Sequence, residues 1–154
     1  MKIITLLFTF ALISNLSIGQ NFSELANQEF ESADSYKPAE KNVLMCANYL
    51  FSNPIDYEEL NRKYSLQYIL KWMMGTPDYT FDIGAKASEL TKGSDDLFGL
   101  YMAAMTKTVL ENEKLDSDEI YNRSEKILVD YCSNPDNHIK PSKKIKKLLK
   151  ESQD

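Results

Sequence analysis

The dominant pattern of this chain is an apolar residue at every third or fourth position. It is clearest in four residues spaced four apart: Leu60, Tyr64, Tyr68 and Trp72. Residues at this spacing share one face of an α-helix, whereas a half-buried strand alternates at every second residue. Only residues 79–81 have strand character, and three residues are too few to build a sheet. The sequence therefore predicts an all-α fold.

Start and stop signals divide this pattern into six or seven helices. Pro54 ends one helix, because proline cannot continue it. Asp56 with Glu59, and Asp116 with Glu119, predict capping boxes at two helix starts. Short connections favour helical hairpins within a single domain. The predicted helices cover 22–34, 38–52, 56–74, 83–92, 95–113, 116–132 and 141–151.

The N-terminus has the three-part layout of a secretory signal peptide. Lys2 precedes an uncharged apolar run over 3–13, and the small residues Ser17 and Gly19 predict cleavage before Gln20. A transmembrane anchor or a buried helix is the alternative. The apolar run is short of the ~20 residues that span a bilayer.

Removal of residues 1–19 would leave 20–154 as a single exported domain, in the periplasm or outside the cell. No second stretch of sequence is long and apolar enough to cross a membrane. The full chain has a net charge of -5, and loss of Lys2 makes the mature chain more acidic. Nucleic acid is therefore not expected as a partner, because phosphate binding needs a basic face.

Export changes the expectation for the two cysteines, Cys46 and Cys132. An oxidising compartment favours a disulfide between them. Such a bond would close a large loop and stabilise the fold by roughly 4–5 kcal/mol. The alternative is two buried free thiols that act as small apolar residues.

No familiar catalytic motif is present, and the sequence predicts a protein that is not an enzyme and carries no cofactor or metal. His138 stands alone in a polar loop, without a nucleophile or orienting partner in its sequence neighbourhood. The acidic pairs near 56, 95 and 116 are explained better as helix caps than as calcium ligands.

Two segments are candidate interaction surfaces. The first combines the sole tryptophan with Met and aromatic residues, namely Trp72, Met73, Tyr79 and Phe81. These could form a pocket wall or a partner-binding edge. They could equally be core, as aromatic stripes at helical spacing usually are.

The second segment is the predicted basic helix 141–151. Residues 140–154 hold six lysines and two acidic residues, whereas 20–139 hold 11 basic and 21 acidic residues. This asymmetry could serve an acidic partner or an anionic surface, or the lysines could simply be solvated. The candidate basic surface comprises Lys143, Lys144, Lys146, Lys147 and Lys150.

Three functions are compatible with these features. The first is an exported, non-catalytic helical module that binds a protein partner. The second is a carrier of a small apolar ligand held between helices 56–74 and 95–113. The third is a hydrolase whose site is assembled from scattered residues.

Three blocks of the sequence resemble small exported helical proteins of Gram-negative, Bacteroidota-type bacteria. They are the signal-peptide end at 18–21, the block at 71–79 and the block at 131–137. The resemblance extends over most of the mature chain. It implies periplasmic or secreted placement and implies no activity and no functional residue.

Overall fold

The computed structural model describes residues 21–112 and 114–152, and the predicted signal peptide lies outside the described residues. Within these ranges the chain forms seven α-helices, two short 3-10 helices and no strand, which confirms the all-α prediction. The helices are α1 (Phe22–Asn27), α2 (Tyr36–Ser52), α3 (Leu60–Met73), α4 (Ala85–Leu90), α5 (Asp95–Glu111), α6 (Ser117–Ser133) and α7 (Lys143–Glu151).

Consecutive long helices pack as two hairpins, as predicted. Helix α2 lies against α3, α5 lies against α6, and a contact between α2 and α5 joins the hairpins. Helix α1 covers α3, whereas α7 packs on α4 and α6. None of the described helices is both long and apolar enough to cross a bilayer.

The core lies where the two hairpins meet. Its largest side chains are fully buried or nearly so, and each contributes about 1.5–3 kcal/mol by leaving water. They include Tyr68, Ile69, Trp72, Leu97, Tyr101, Met105 and Leu128.

The start of α6 follows the predicted capping box. Asp116 accepts a hydrogen bond from the Glu119 N–H at 2.8 Å, and Glu119 accepts one from the Asp116 N–H at 3.0 Å. These bonds satisfy two donors that would otherwise be unpaired at the helix end.

The predicted capping box at the start of α3 is wrong. Glu59 is the N-cap, and its carboxylate accepts from the N–H groups of Asn61 and Arg62 at 2.9 and 3.0 Å. Asp56 instead accepts from the Glu58 N–H at 2.9 Å and forms a separate turn. Aspartate is the more usual cap, but the helix begins at Leu60, and the Glu59 carboxylate is the one that lies beside its first N–H groups.

The first predicted helix, 22–34, is also too long. Helix α1 ends at Asn27, and Gln28 has extended backbone with ψ 134°. The chain turns there, so that the Phe30 ring stacks on Tyr36 at 4.6 Å and on Tyr68 at 5.7 Å between ring centroids. Burial of Phe30 against two other helices competes with continuation of α1.

The predicted disulfide between Cys46 and Cys132 is not formed. Both cysteines are free and buried, and the structure does not place them near each other. Cys46 lies in α2 and faces α3, whereas Cys132 lies at the end of α6. Burial raises the pKa of the Cys46 thiol to about 11 and that of Cys132 to about 12, which makes both poor nucleophiles.

Candidate functional site

The segment around the tryptophan belongs to the core and is closed by its own loop. Trp72 is 0 % exposed, and its Nε1–H donates to the Tyr36 carbonyl oxygen at 3.1 Å. The half-buried rings of Tyr79 and Phe81 cover it, with centroids 5.5 and 6.1 Å from the indole. Met73 is buried beside it. The structure brings all four predicted residues together, but as core and cover.

Helices α3 and α5, between which an apolar ligand was predicted, are in close contact at Gly99. A Cβ added to Gly99 of α5 would lie 2.9 Å from Leu66 Cδ2 of α3. Ala103, one turn along α5, is fully buried. The two small residues therefore allow α3 to pack closely against α5 at this point.

A cavity of about 420 Å³ lies on the opposite side of α5. It is enclosed by the loop at 78–84, by α4, by α5 and by the start of α6. Its floor is apolar and aromatic, and the floor residues are Tyr101, Met105, Val109, Ile120 and Tyr121. A space of this size and lining is suited to a small organic molecule.

The rim of the cavity is charged. Asp78 and Asp82 line it from the loop, and Lys86 and Lys114 line it from the other side. Lys86 Nζ is paired with a carboxylate oxygen of Asp118 at 2.7 Å. The lysine charge is therefore largely balanced by its own neighbour.

Two tyrosines from different helices form one aromatic wall. The rings of Tyr101 and Tyr121 lie 6.4 Å apart, and Lys86 Nζ lies 5.1 Å from the centre of the Tyr121 ring. The Tyr121 hydroxyl donates to Glu125 Oε2 at 2.7 Å. Burial, and then this carboxylate, raise the pKa of Tyr121 well above its usual value. The hydroxyl is thus a neutral donor committed to Glu125.

The Tyr101 hydroxyl is different. Tyr101 is only 1 % exposed and lines the cavity, yet within the described part of the chain its hydroxyl has no hydrogen-bond partner. The hydroxyl oxygen is not fully closed off from solvent. Because Tyr101 lines the cavity, a molecule in the cavity can reach this oxygen. Burial, reinforced by Asp82 and Glu125, raises the pKa of Tyr101 to about 12.

The sequence did not predict this cavity, and of the four residues of the first candidate surface only Tyr79 lines it. The sequence pattern shows only that Tyr101 and Tyr121 lie on the inner faces of two neighbouring helices. Spacing indicates that a residue faces inward, but it does not show whether an open space lies beside that residue.

The predicted basic helix is present as α7, two residues shorter at its start because Ser142 caps it by accepting from the Ile145 N–H at 3.1 Å. Its apolar residues pack inward, with Ile145 fully buried. Of the predicted surface, Lys144 is half-buried and four lysines are exposed: Lys143, Lys146, Lys147 and Lys150.

His138 lies exposed at the end of a short 3-10 helix, with φ 54°. Within residues 21–112 and 114–152, no group of three or more His, Cys, Asp or Glu side chains is arranged to hold a metal ion.

Comparisons with family models, with curated proteins and with solved structures find no match to this chain.

Proposed function

We propose that this chain is an exported, non-catalytic binding module whose α7 lysines bind an acidic segment of a protein partner. The observation that carries the proposal is the orientation of α7, whose apolar residues face the core while its lysines face solvent. Export is supported by the signal-peptide pattern of residues 1–19.

The exposed lysines share one side of α7. Lys143, Lys147 and Lys150 follow the spacing of one helical face, and Lys146 adjoins them. Among the described residues, the only ion pair of this helix joins Lys147 to Glu151 at 3.6 Å. Most of the positive charge on this face is therefore available to a partner.

The packing of α7 favours a protein partner over a membrane. An amphipathic helix binds a bilayer by burying its apolar face among the lipids. Here Ile145 is fully buried, and Leu148 and Leu149 pack against the core. Membrane insertion would require α7 to detach, whereas an acidic protein segment can contact the lysines where they are.

A binding assay with a fluorescein-labelled poly-glutamate peptide tests this proposal. At low salt we expect saturable binding that weakens as salt screens the charges. A triple lysine-to-glutamine variant of α7 should bind about tenfold less tightly, since each exposed ion pair contributes up to about 0.5 kcal/mol. The α7 substitutions are Lys143→Gln, Lys146→Gln and Lys150→Gln.

The control variant makes the same change in net charge elsewhere, at exposed lysines outside α7: Lys41→Gln, Lys63→Gln and Lys92→Gln. An equal loss in both variants would show a general charge effect and contradict the proposal. Binding to vesicles of anionic lipid, without binding to poly-glutamate, would contradict a protein partner and indicate a membrane surface instead.

Export has its own test. N-terminal sequencing of the protein recovered from the exported fraction should begin at Gln20. Recovery of an intact Met1 from the cell interior would contradict export.

A second candidate function, carriage of a small apolar ligand, is favoured by the 420 Å³ cavity and its apolar floor. Native mass spectrometry of the exported protein should then show an extra non-covalent mass. If only the mass of the chain itself is found under gentle ionisation, the carrier function is contradicted and the α7 function remains.

A further inference from the structure

We propose that the cavity binds a small organic cation, with its amine at the acidic rim and its apolar or aromatic body on the floor. This inference specifies the ligand class of the second candidate function and depends on it. It rests on the shape of the cavity, the charges at its rim and the unpartnered hydroxyl of Tyr101.

The floor provides the first argument. Met105 and Val109 are buried side chains of α5, and Ile120 faces them from α6. An apolar body placed on this floor would displace water from apolar surface, which contributes roughly 25 cal/mol per Å². A flat ring also fits beside the two tyrosine rings, whose planes are inclined by 57°.

The aromatic wall provides the second argument. The face of a tyrosine ring carries negative charge density and attracts cations within about 6 Å of its centre. The chain's own cation, Lys86 Nζ, already lies 5.1 Å from the Tyr121 centroid. The Tyr121 ring therefore has a cation beside it in the folded protein, and a ligand amine would compete with Lys86 for this ring.

The fixed charges provide the third argument. Asp78 and Asp82 line the cavity. Glu125 lies behind its wall, where it accepts the hydrogen bond of the Tyr121 hydroxyl. The opposing cations are Lys86, which is paired with Asp118, and the exposed Lys114. Asp82 and Glu125 also add to the effect of burial in raising the pKa of Tyr101.

The Tyr101 hydroxyl provides the polar contact. The Tyr101 side chain is buried, but its neutral hydroxyl has no partner among the described residues and is not closed off from solvent, since it lines the cavity. Its oxygen can accept a hydrogen bond from an ammonium N–H. A ligand amine would thus bond a group that has no partner within the described part of the protein and would displace solvent from it.

Isothermal titration calorimetry with three probes of nearly equal shape tests the inference on the folded chain. The probes are phenethylamine, which is cationic, phenethyl alcohol, which is neutral, and hydrocinnamate, which is anionic. We expect phenethylamine to bind about tenfold more tightly than the alcohol, with a preference that decreases as salt is added.

Two variants should change the amine affinity in opposite directions. Asp82→Asn keeps an oxygen to accept from the Gly84 N–H, a bond of 2.8 Å, but removes the charge. It should weaken phenethylamine several-fold and leave the alcohol unchanged. Lys86→Met removes the competing cation and should strengthen the amine. The control, Asp136→Asn, removes an exposed charge at the distant 3-10 helix and should change neither probe.

The outcomes separate the inference from the function on which it depends. Equal affinity for amine and alcohol would overturn the cation preference and leave the carrier function standing. Tightest binding of hydrocinnamate would overturn the sign of the charge preference. If none of the probes binds, both the inference and the carrier function fail.

Discussion

The two hairpins bury aromatic residues in the same way but close differently around them. In the α2–α3 hairpin, the loop that follows α3 returns Tyr79 and Phe81 over Trp72. In the α5–α6 hairpin, the short connection between Glu111 and Ser117 brings no aromatic ring to cover the tyrosines, and a cavity remains, with Tyr79 of the loop after α3 among its lining residues. An inward-facing row of aromatic residues can therefore form core or line a cavity. Which of the two it does depends on whether the following loop carries side chains that cover the rings.

Removal of the tryptophan should have the largest effect on stability. Trp72→Ala deletes a fully buried side chain and its hydrogen bond, and should lower the free energy of unfolding by about 3–5 kcal/mol. Tyr121→Ala, on the half-buried wall of the cavity, should cost about 1–2 kcal/mol. Urea unfolding followed by circular dichroism measures both values. Equal losses would remove the distinction between the hairpins.

The turn after α3 offers a sharper test of the closed side. A Cβ on Gly75 would lie 1.9 Å from the Tyr36 hydroxyl oxygen and 2.6 Å from the ring carbon that bears it. Since this ring is stacked on Phe30, Gly75→Ala should cost about 1–3 kcal/mol.

Gly99→Ala is the matched control, measured in the same unfolding assay. Its Cβ meets only the flexible end of Leu66, and alanine favours the helix by about 1 kcal/mol. The variant should therefore lie within about 1 kcal/mol of the parent. A larger loss of unfolding free energy for Gly99→Ala than for Gly75→Ala would show that the α3–α5 contact is packed more tightly than the turn after α3.

Each side of the core contains a tyrosine that should destabilise the fold at high pH. Burial, as the main cause, raises the pKa of Tyr68 and of Tyr101 to about 12, above the ordinary value of 10.0. The folded chain keeps these protons longer than the unfolded chain. Their contribution is complete below pH 10 and is lost as pH rises towards 12, by roughly 2 kcal/mol for each tyrosine.

Phenylalanine variants separate the two tyrosines. Both Tyr68→Phe and Tyr101→Phe should flatten the alkaline decline in unfolding free energy. At neutral pH only Tyr68→Phe should cost about 1 kcal/mol, because its hydroxyl donates to Gln28 Oε1 at 3.1 Å. A larger neutral cost at Tyr101 would mean that its hydroxyl is bonded and not available to a ligand.

The cysteines provide the smallest expected effect, since one lies in each hairpin. A reducing agent should change the free energy of unfolding by less than about 0.5 kcal/mol, because both thiols are free. A disulfide between the hairpins would instead contribute roughly 4–5 kcal/mol. Two alkyl groups on the unfolded, unreduced chain would confirm free thiols, and a mass two hydrogens lower would contradict them.

The sequence predicted features that depend on neighbouring residues. The helix stop before Pro54 and the capping box at Asp116 are set within one turn, and both are present. The choice of Glu59 over Asp56 as cap was not predictable, because aspartate is a preferred N-cap residue and the local preference therefore favours Asp56. The break after Asn27 depends on rings of two other helices, which spacing along the chain does not reveal.

The candidate site was less predictable than the fold. Trp72 is prominent in the sequence because it is unique, yet it is core. Tyr101 resembles any other buried helical residue, and its role depends on an unfilled space beside it. The α7 lysines could be proposed from the sequence because charge density is local, but their exposure follows from the packing of Ile145.

The most direct test of the contrast between the two hairpins is an NMR titration of the ¹⁵N-labelled chain with phenethylamine. The predicted result is a set of saturable shifts at the amides of Tyr101, Ile120 and Tyr121, with the Trp72 indole N–H signal unmoved. Shifts centred on the Trp72 indole would contradict the assignment of that segment to the core and of binding to the α5–α6 side.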